Sequence, residues 1–234
     1  MRNFYAGDNS RYGYSSAGYA EDGRMLGEFS ARTYNLILGG VLAWGFVINA
    51  LMCTFLKEEI LAIPPMYLLV GYIVMALVGI VMSARSHNPT VSFIGYNLVV
   101  LPLGAVLTVL LSAYDGYSVT LTLFVTSIVV LGMTVLSTIF PNFFISLAPT
   151  LSITLLLVLL ANLVFTLIGG GLAPTAIDWL VTLLFCGYIG YDYAMAQKKL
   201  KTLDNAIDSA CELYVDIVNL FIRLLAIISR ERRR

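Results

Sequence analysis

The sequence predicts an all-α polytopic membrane protein with seven membrane-spanning helices. Hydrophobic residues make up 59% of the 234 residues, charged residues make up only 12%, and the mean hydropathy is +0.86. Soluble domains of this length do not have such a composition. The charges lie mainly at the two ends and in short gaps between apolar stretches long enough to cross a bilayer.

The charge balance and the cysteines exclude several classes of function. Lys and Arg total 14 and Asp and Glu total 14, so the net charge is zero at neutral pH. A basic surface for nucleic acid is therefore not expected. The three cysteines are odd in number and far apart, which predicts neither a disulfide framework nor a zinc site. We expect no cofactor.

Residues 1–32 are predicted to form a disordered polar tail. They are rich in Gly, Ser and Tyr and poor in aliphatic residues, so burial cannot offset the entropy of ordering them. The tail carries both signs of charge before the first apolar stretch. We therefore expect no cleavable signal peptide, and the first helix acts as its own membrane signal.

Seven apolar stretches follow within residues 33–229, the predicted transmembrane domain. The uncharged interval 116–177 is twice too long for one crossing, and we expect Pro141 and the glycines 169–171 to divide it. The predicted helices cover residues 33–56, 60–84, 86–114 (starting at Asn88-Pro89), 117–139, 144–168, 175–197 and 206–229, and a basic tail follows at 230–234.

The distribution of Lys and Arg predicts a cytosolic N-terminus. The outer loops then hold Lys57 alone, and seven crossings leave the basic tail 230–234 outside, against the rule. A half-inserted last segment with a cytosolic C-terminus is the alternative. The compact chain without a retrieval signal favours a bacterial plasma membrane. The basic residues on the inner side are the tail arginines, Arg85, Lys198, Lys199 and Lys201.

Ionisable side chains in the last two helices are the functional candidates, because each costs at least about 2.5 kcal/mol inside a bilayer. Asp208, Glu212 and Asp216 recur every four residues and share one stripe of the last helix with Arg223. A short loop would let Asp192, near the inner end of helix six, meet Asp216. The alternatives are an interfacial Asp192, a solvated mouth for Asp208 and Glu212, and an Arg223 that snorkels to the headgroups.

Asp192 and Asp216 are the predicted proton sensor and ion-binding site. Two carboxylates close together in a low dielectric cannot both ionise cheaply, so they share a proton. When both are ionised, they form a hard oxygen site that suits Ca²⁺. Protons and calcium then compete for one place. Glu212 is a third candidate for the same role, and His87, near the mouth of helix three, is expected to be a surface residue.

The last two helices resemble those of the Bax inhibitor-1 family, and the chain as a whole resembles a bacterial-type member of that family. The segments are GYIGYD at 187–192 and ELYVDIVNLF at 212–221, joined by a basic loop, and the seven-helix layout agrees over 33–229. The resemblance implies a central last helix wrapped by two three-helix layers. It also implies a pH-sensitive calcium leak gated by Asp192 and Asp216, and a basic latch at Arg85. Arg223 is a second latch candidate by its stripe position alone.

Three functions remain open from the sequence. The first is a pH-sensitive calcium (cation) leak channel, with lipid, protons and Ca²⁺ as its partners. A non-conducting scaffold that modulates partner proteins is favoured if Arg85 or Arg223 neutralises the carboxylates. An aspartyl intramembrane protease also uses two aspartates on neighbouring helices, but Asp216 follows Tyr214-Val215 and lacks the Gly-x-Gly-Asp context. We therefore do not expect an enzyme.

Overall fold

The computed structural model describes residues 28–168 and 174–232, and within these ranges the chain forms helices and no strand. Seven of the helices are long, and two short ones, α2 and α6, lie between long ones. The helices are α1 (Ala31–Phe55), α2 (Lys57–Leu61), α3 (Pro65–Arg85), α4 (Pro89–Leu111), α5 (Gly116–Ile139), α6 (Pro141–Ser146), α7 (Ala148–Ile168), α8 (Pro174–Lys198) and α9 (Leu203–Arg232).

Four helices in the described part of the chain are long and apolar enough to cross a membrane, namely α1, α3 over Pro65–Ser83, α4 and α5. In α7 the apolar stretch found is shorter, Ala148–Ala161. Helices α8 and α9 carry acidic and basic side chains along their length, which lowers their apolar character. The all-α class is thus confirmed, whereas a membrane crossing by each of the seven long helices stays a prediction.

Local sequence signals explain where the helices begin. The side chains of Ser30, Asn88 and Asp115 accept hydrogen bonds from backbone N–H groups in the first turns of α1, α4 and α5, as N-cap residues do. Pro65 opens α3, where a missing N–H does no harm. Helix α3 therefore starts five residues later than expected from the sequence, since α2 takes up part of the interval.

Helix α9 is enclosed by its neighbours, because it packs against α1, α4, α5 and α8. One cluster of buried apolar residues joins α9 to α1 and α8, and another joins it to α4. The last helix thus has neighbours on several sides, while the two three-helix layers stay a prediction. The largest fully buried members of these clusters are Tyr34, Tyr96, Val100, Ile189, Tyr214, Leu220 and Leu225.

Helix α9 is one continuous helix of 30 residues, about 45 Å long at 1.5 Å per residue. Near its start, Tyr34 of α1 donates a hydrogen bond to the Asn205 carbonyl at 3.2 Å. At its end, Arg232 contacts Asp115, the N-cap of α5, at 2.7 Å. The two ends of α9 therefore contact different helices, α1 at its start and the N-cap of α5 at its end, and whether α9 is fully or half inserted stays a prediction.

Some sequence expectations fall on residues that the structure does not describe. These are the predicted tail up to residue 27, the break at 169–171 and residues 233–234. The boundaries between the helices and the two predicted tails also differ from expectation. Helix α1 already includes Ala31 and Arg32, and α9 includes residues 230–232, which were expected in a separate basic tail. The three cysteines are free thiols of intermediate exposure.

Helices α3 and α4 approach each other closely at two glycines. A Cβ atom added to Gly79 would lie 2.5 Å from the Gly95 carbonyl oxygen, and one added to Gly95 would lie 2.8 Å from the Gly79 carbonyl oxygen. Small residues permit such close contact between helices in membranes. This contact fixes the C-terminal half of α3 against the first half of α4.

We expect Gly79→Ala to lower the melting temperature of the detergent-solubilised protein by several degrees. The added methyl group meets backbone atoms that cannot move aside, and such overpacking costs about 1–3 kcal/mol. Gly71→Ala is the matched control in the same helix, because nothing lies within 4 Å of its added Cβ and alanine favours helix. Equal melting temperatures of the two variants would contradict the close contact.

Candidate functional site

A cavity of about 790 Å³, lined by several carboxylates, lies where α8 passes into α9. Residues from the end of α3 and the loop after it, including Ser83 and His87, form its opposite wall. His87 is exposed there, as expected for a surface residue. The carboxylates that line the cavity are Asp192, Asp204, Asp208, Glu212 and Asp216. One chamber therefore collects the three predicted acidic candidates together with two further aspartates.

The carboxylates of α9 wind around the helix, because each step of four residues turns about 40° beyond a full turn. They therefore face different neighbours. Asp204 is buried and accepts a hydrogen bond from Ser92 Oγ of α4 at 2.6 Å. Asp208 is half-buried and accepts one from Ser83 Oγ of α3 at 2.5 Å. Asp208 thus joins two helices, whereas the sequence suggested a solvated mouth.

Asp204 is a member of the site that the sequence reasoning missed. The sequence predicts that the last helix begins at residue 206, which places Asp204 in the preceding loop. The structure begins α9 at Leu203 and buries the Asp204 side chain. The signal was present, because the four-residue spacing of Asp208, Glu212 and Asp216 extends back by one step to Asp204.

Asp192 and Asp216 lie side by side between α8 and α9, with their carboxyl groups within hydrogen-bonding reach of each other. Asp216 is 7% exposed, and its Oδ2 atom accepts no hydrogen bond from any donor in the described ranges. Ionised carboxylates only accept, so a proton on either group supplies the missing donor. The pair therefore needs a shared proton or a cation to compensate its buried charge.

Glu212 differs from the pair in its surroundings. Its side chain is 46% exposed and forms a salt bridge with Lys199 of the α8–α9 loop, with Nζ and Oε2 2.8 Å apart. It lies one helical turn from Asp216 and lines the same cavity. Glu212 is thus already paired with a cation, whereas neither aspartate of the pair forms a salt bridge within the described ranges.

The structure brings neither latch candidate to the aspartate pair. Arg85 is exposed at the end of α3 and does not line the cavity. Arg223 donates to Asp178 Oδ1 at 3.1 Å, at the start of α8. Seven residues of helix carry Arg223 about 10 Å from the level of Asp216, where Asp178 is the nearer partner. Arg223 therefore forms an ion pair with the buried Asp178, while its own side chain stays partly exposed.

A second ionic cluster lies at the other end of the α8–α9 interface. Asp178 is 5% exposed and accepts hydrogen bonds from both Arg223 and Arg230, the latter at 2.6 Å. Nearby, hydrogen bonds from Ser118 and the proximity of Arg232 lower the pKa of Asp115 to about 2. These acids pair with Arg230 and Arg232, two of the C-terminal arginines that conflicted with the positive-inside rule.

These features define an all-helical protein with a carboxylate-lined cavity at the junction of its last two helices. A family model described as "Inhibitor of apoptosis-promoting Bax1" matches residues 26–233. The chain therefore belongs to the Bax inhibitor-1 family, and the resemblance seen in its last two helices is confirmed. The match covers every described helix in full, from Ala31 to Arg232.

Two relatives illustrate the extent of the similarity. An uncharacterized membrane protein of Streptococcus pyogenes serotype M1 is 25% identical over 223 residues, covering 91% of this chain and 97% of its own. Protein LIFEGUARD 1 of Arabidopsis thaliana is 42% identical over 76 residues, covering 30% of this chain and 32% of its own. With the apolar helices, these matches identify an integral multi-pass membrane protein.

We expect Asp178→Asn to destabilise the protein by about 1–3 kcal/mol, because it leaves two guanidinium groups beside a buried neutral amide. The value is below that of a fully buried pair since Arg223 and Arg230 are 39% and 31% exposed. Thermal unfolding in detergent measures the loss. Asp115→Asn is the control, because Asn keeps the N-cap and the Arg232 pair is exposed. A similar loss in both variants would contradict the special role of Asp178.

Proposed function

We propose that this protein is a pH-sensitive leak channel for cations, with Ca²⁺ as the permeant ion, gated by Asp192 and Asp216. The observation that carries the proposal is the buried pair, in which Asp216 Oδ2 has no donor and which lines a cavity with three further carboxylates. Membership of the Bax inhibitor-1 family supports it.

The chemistry of the pair makes protons and cations competitors. With one proton shared, the pair is hydrogen-bonded internally and holds α8 against α9. When the proton leaves, two negative charges face each other in a poorly screened environment. Their repulsion is relieved either by a cation between them or by separation of the two helices. Both responses favour passage of a cation at higher pH and closure at lower pH.

Calcium fits this pair as a passing ion. Carboxylate oxygens are hard ligands that suit Ca²⁺, but a tightly held Ca²⁺ takes six to eight oxygen ligands. Within residues 28–168 and 174–232, no group of three or more His, Cys, Asp or Glu side chains is arranged to hold a metal ion. Two carboxylates with water would bind weakly, and conduction requires binding weak enough for the ion to leave.

The remaining carboxylates of the cavity serve as an entrance. Asp204 and Asp208 are held by serine hydroxyl groups, which leave their negative charge in place. A chamber with several carboxylates raises the local concentration of cations. Cations that enter at the α8–α9 loop then reach the pair at Asp192 and Asp216.

Two other functions have less support. The scaffold hypothesis expected an arginine to neutralise the pair, yet Arg223 binds Asp178 and Arg85 is exposed at the surface. An aspartyl protease also needs paired aspartates, but the residues before Asp216 lack the context of that class. We therefore propose a non-enzymatic role. Calcium flux into liposomes that contain the pure protein tests the channel proposal. The absence of flux at every pH would favour the scaffold hypothesis.

We propose a bacterial plasma membrane with the N-terminus in the cytosol. Ser83 and His87 line the same cavity as Lys198 and Lys199, so the ends of α3 and α8 share one side. We expect cysteines placed at Arg85 and at Lys198 both to react with an impermeant thiol reagent from the cytosolic side, in a background without native cysteines. A cysteine replacing Lys57 should react from outside. Labelling of Arg85→Cys from outside would contradict this orientation.

We expect Asp216→Asn and Asp192→Asn each to abolish the pH dependence of calcium flux into liposomes. The amide keeps the shape and hydrogen-bonding capacity of the side chain but cannot exchange the shared proton. Calcium affinity should also fall, because a formal charge is lost where Coulomb interactions are weakly screened. Flux measured from about pH 5 to about pH 8 covers the range in which such a switch is useful.

Asp208→Asn is the matched control, because it removes a carboxylate of the same cavity that is bound to Ser83 and not to a second acid. It should alter the rate of ion entry and leave the pH midpoint almost unchanged. If both Asp192→Asn and Asp216→Asn keep the wild-type midpoint, the paired switch is wrong. Glu212 or His87 then becomes the better candidate for the sensor.

A further inference from the structure

Lys199 extends from the α8–α9 loop into the carboxylate-lined cavity. Its side chain is 26% exposed, and its Nζ atom lies 2.8 Å from Glu212 Oε2. Burial alone would lower the pKa of Lys199, but the attraction and hydrogen bond of Glu212, together with smaller contributions from Tyr34 and Asp208, outweigh that effect and raise it. The ammonium group therefore stays charged at neutral pH, inside the same chamber that is proposed to admit cations.

The loop that carries Lys199 is held in place by hydrogen bonds on both sides. Lys201 Nζ donates to the Gln197 carbonyl at 2.6 Å, which ties the loop to the end of α8. The Asn205 side chain donates to the Leu200 carbonyl at 2.9 Å, which ties it to the start of α9. These hydrogen bonds restrain the backbone at Lys199. The restrained backbone positions the Lys199 ammonium group in the cavity.

Charged and titratable groups from three elements surround this ammonium. Glu212 and Asp208 lie on α9, Asp192 lies on α8, and the Tyr34 hydroxyl comes from α1, and each interacts electrostatically with Lys199. A single positive charge thus acts on several carboxylates at once. An incoming cation meets Lys199 as a competitor for the same oxygen atoms.

We propose that Lys199 is a tethered competitor for cations, which occupies the carboxylate cavity until a divalent ion displaces its ammonium from Glu212. This inference rests on the proposed function, and it names the residue that determines which ions enter. A divalent ion brings twice the charge of the ammonium that it replaces, so the exchange favours Ca²⁺ over monovalent ions. The flexible four-carbon stem lets the displaced ammonium swing toward solvent.

Lys198 provides a matched control in the same loop region. It also lines the cavity, but it is exposed and its Nζ atom contacts the Asn142 side-chain oxygen at 3.3 Å. Lys198→Gln and Lys199→Gln remove the same charge from nearly the same place. A difference between them therefore reports the contact with the carboxylates and not the general surface potential.

The test is calcium binding to the full-length, detergent-solubilised protein, measured by isothermal titration calorimetry near neutral pH. We expect Lys199→Gln to bind Ca²⁺ roughly three- to tenfold more tightly than wild type, as removal of a competing charge allows. Lys198→Gln should change the affinity less than about twofold, and Lys199→Arg should behave like wild type. Should Lys199→Gln fail to fold, Lys199→Met, which keeps the apolar stem, replaces it.

The inference is overturned if Lys199→Gln leaves calcium binding unchanged, weakens it or shows none, or if Lys198→Gln tightens it equally. Flux into liposomes separates this result from the channel proposal. If flux shows a normal pH profile but the two lysine variants change calcium affinity equally, only the proposal that Lys199 competes with cations is wrong. If Lys199→Gln binds calcium more tightly but no variant shows flux, the channel proposal is wrong and the proposal that Lys199 competes with cations is supported.

Discussion

The structure depends on one constraint, namely that the enclosed helix α9 carries ionisable side chains that must be compensated by neighbouring helices. A charge removed from water is costly unless it is paired or hydrogen-bonded. Asp204 and Asp208 meet this requirement through serines of α4 and α3, and Glu212 through a lysine. The Oδ2 atom of Asp216 has no hydrogen-bond donor in the described part of the chain and the side chain faces a second acid, Asp192, so a proton or a cation is needed to compensate this carboxylate.

The two ends of the α8–α9 interface play complementary parts. At one end Asp178 binds two arginines of α9, and these contacts set how far α8 is shifted along α9. At the other end that same register brings Asp192 opposite Asp216. The pair is therefore positioned by strong ionic contacts elsewhere in the same interface, so its own repulsion can be released without loss of the helix pairing.

The cavity connects this pair to the loop between the two helices. Its carboxylates attract cations, while Lys199, held by a hydrogen-bonded loop, supplies a positive charge of the chain's own. In the proposed channel, the carboxylates would attract cations while the Lys199 ammonium competes with them, which would keep the flux small. The site lies within the part of the chain that matches the Bax inhibitor-1 family, residues 26–233.

The sequence by itself determined the all-α class, the places of the seven long helices within a few residues, and the candidacy of Asp192 and Asp216. These features depend on local patterns, because the length of an uncharged stretch and a four-residue spacing of carboxylates are both visible along the chain. The tertiary structure alone decided that Arg223 binds Asp178, that Arg85 faces outward and that Lys199 enters the cavity. Each of these depends on how separate helices are rotated and shifted against one another, and no spacing within a single helix encodes that packing.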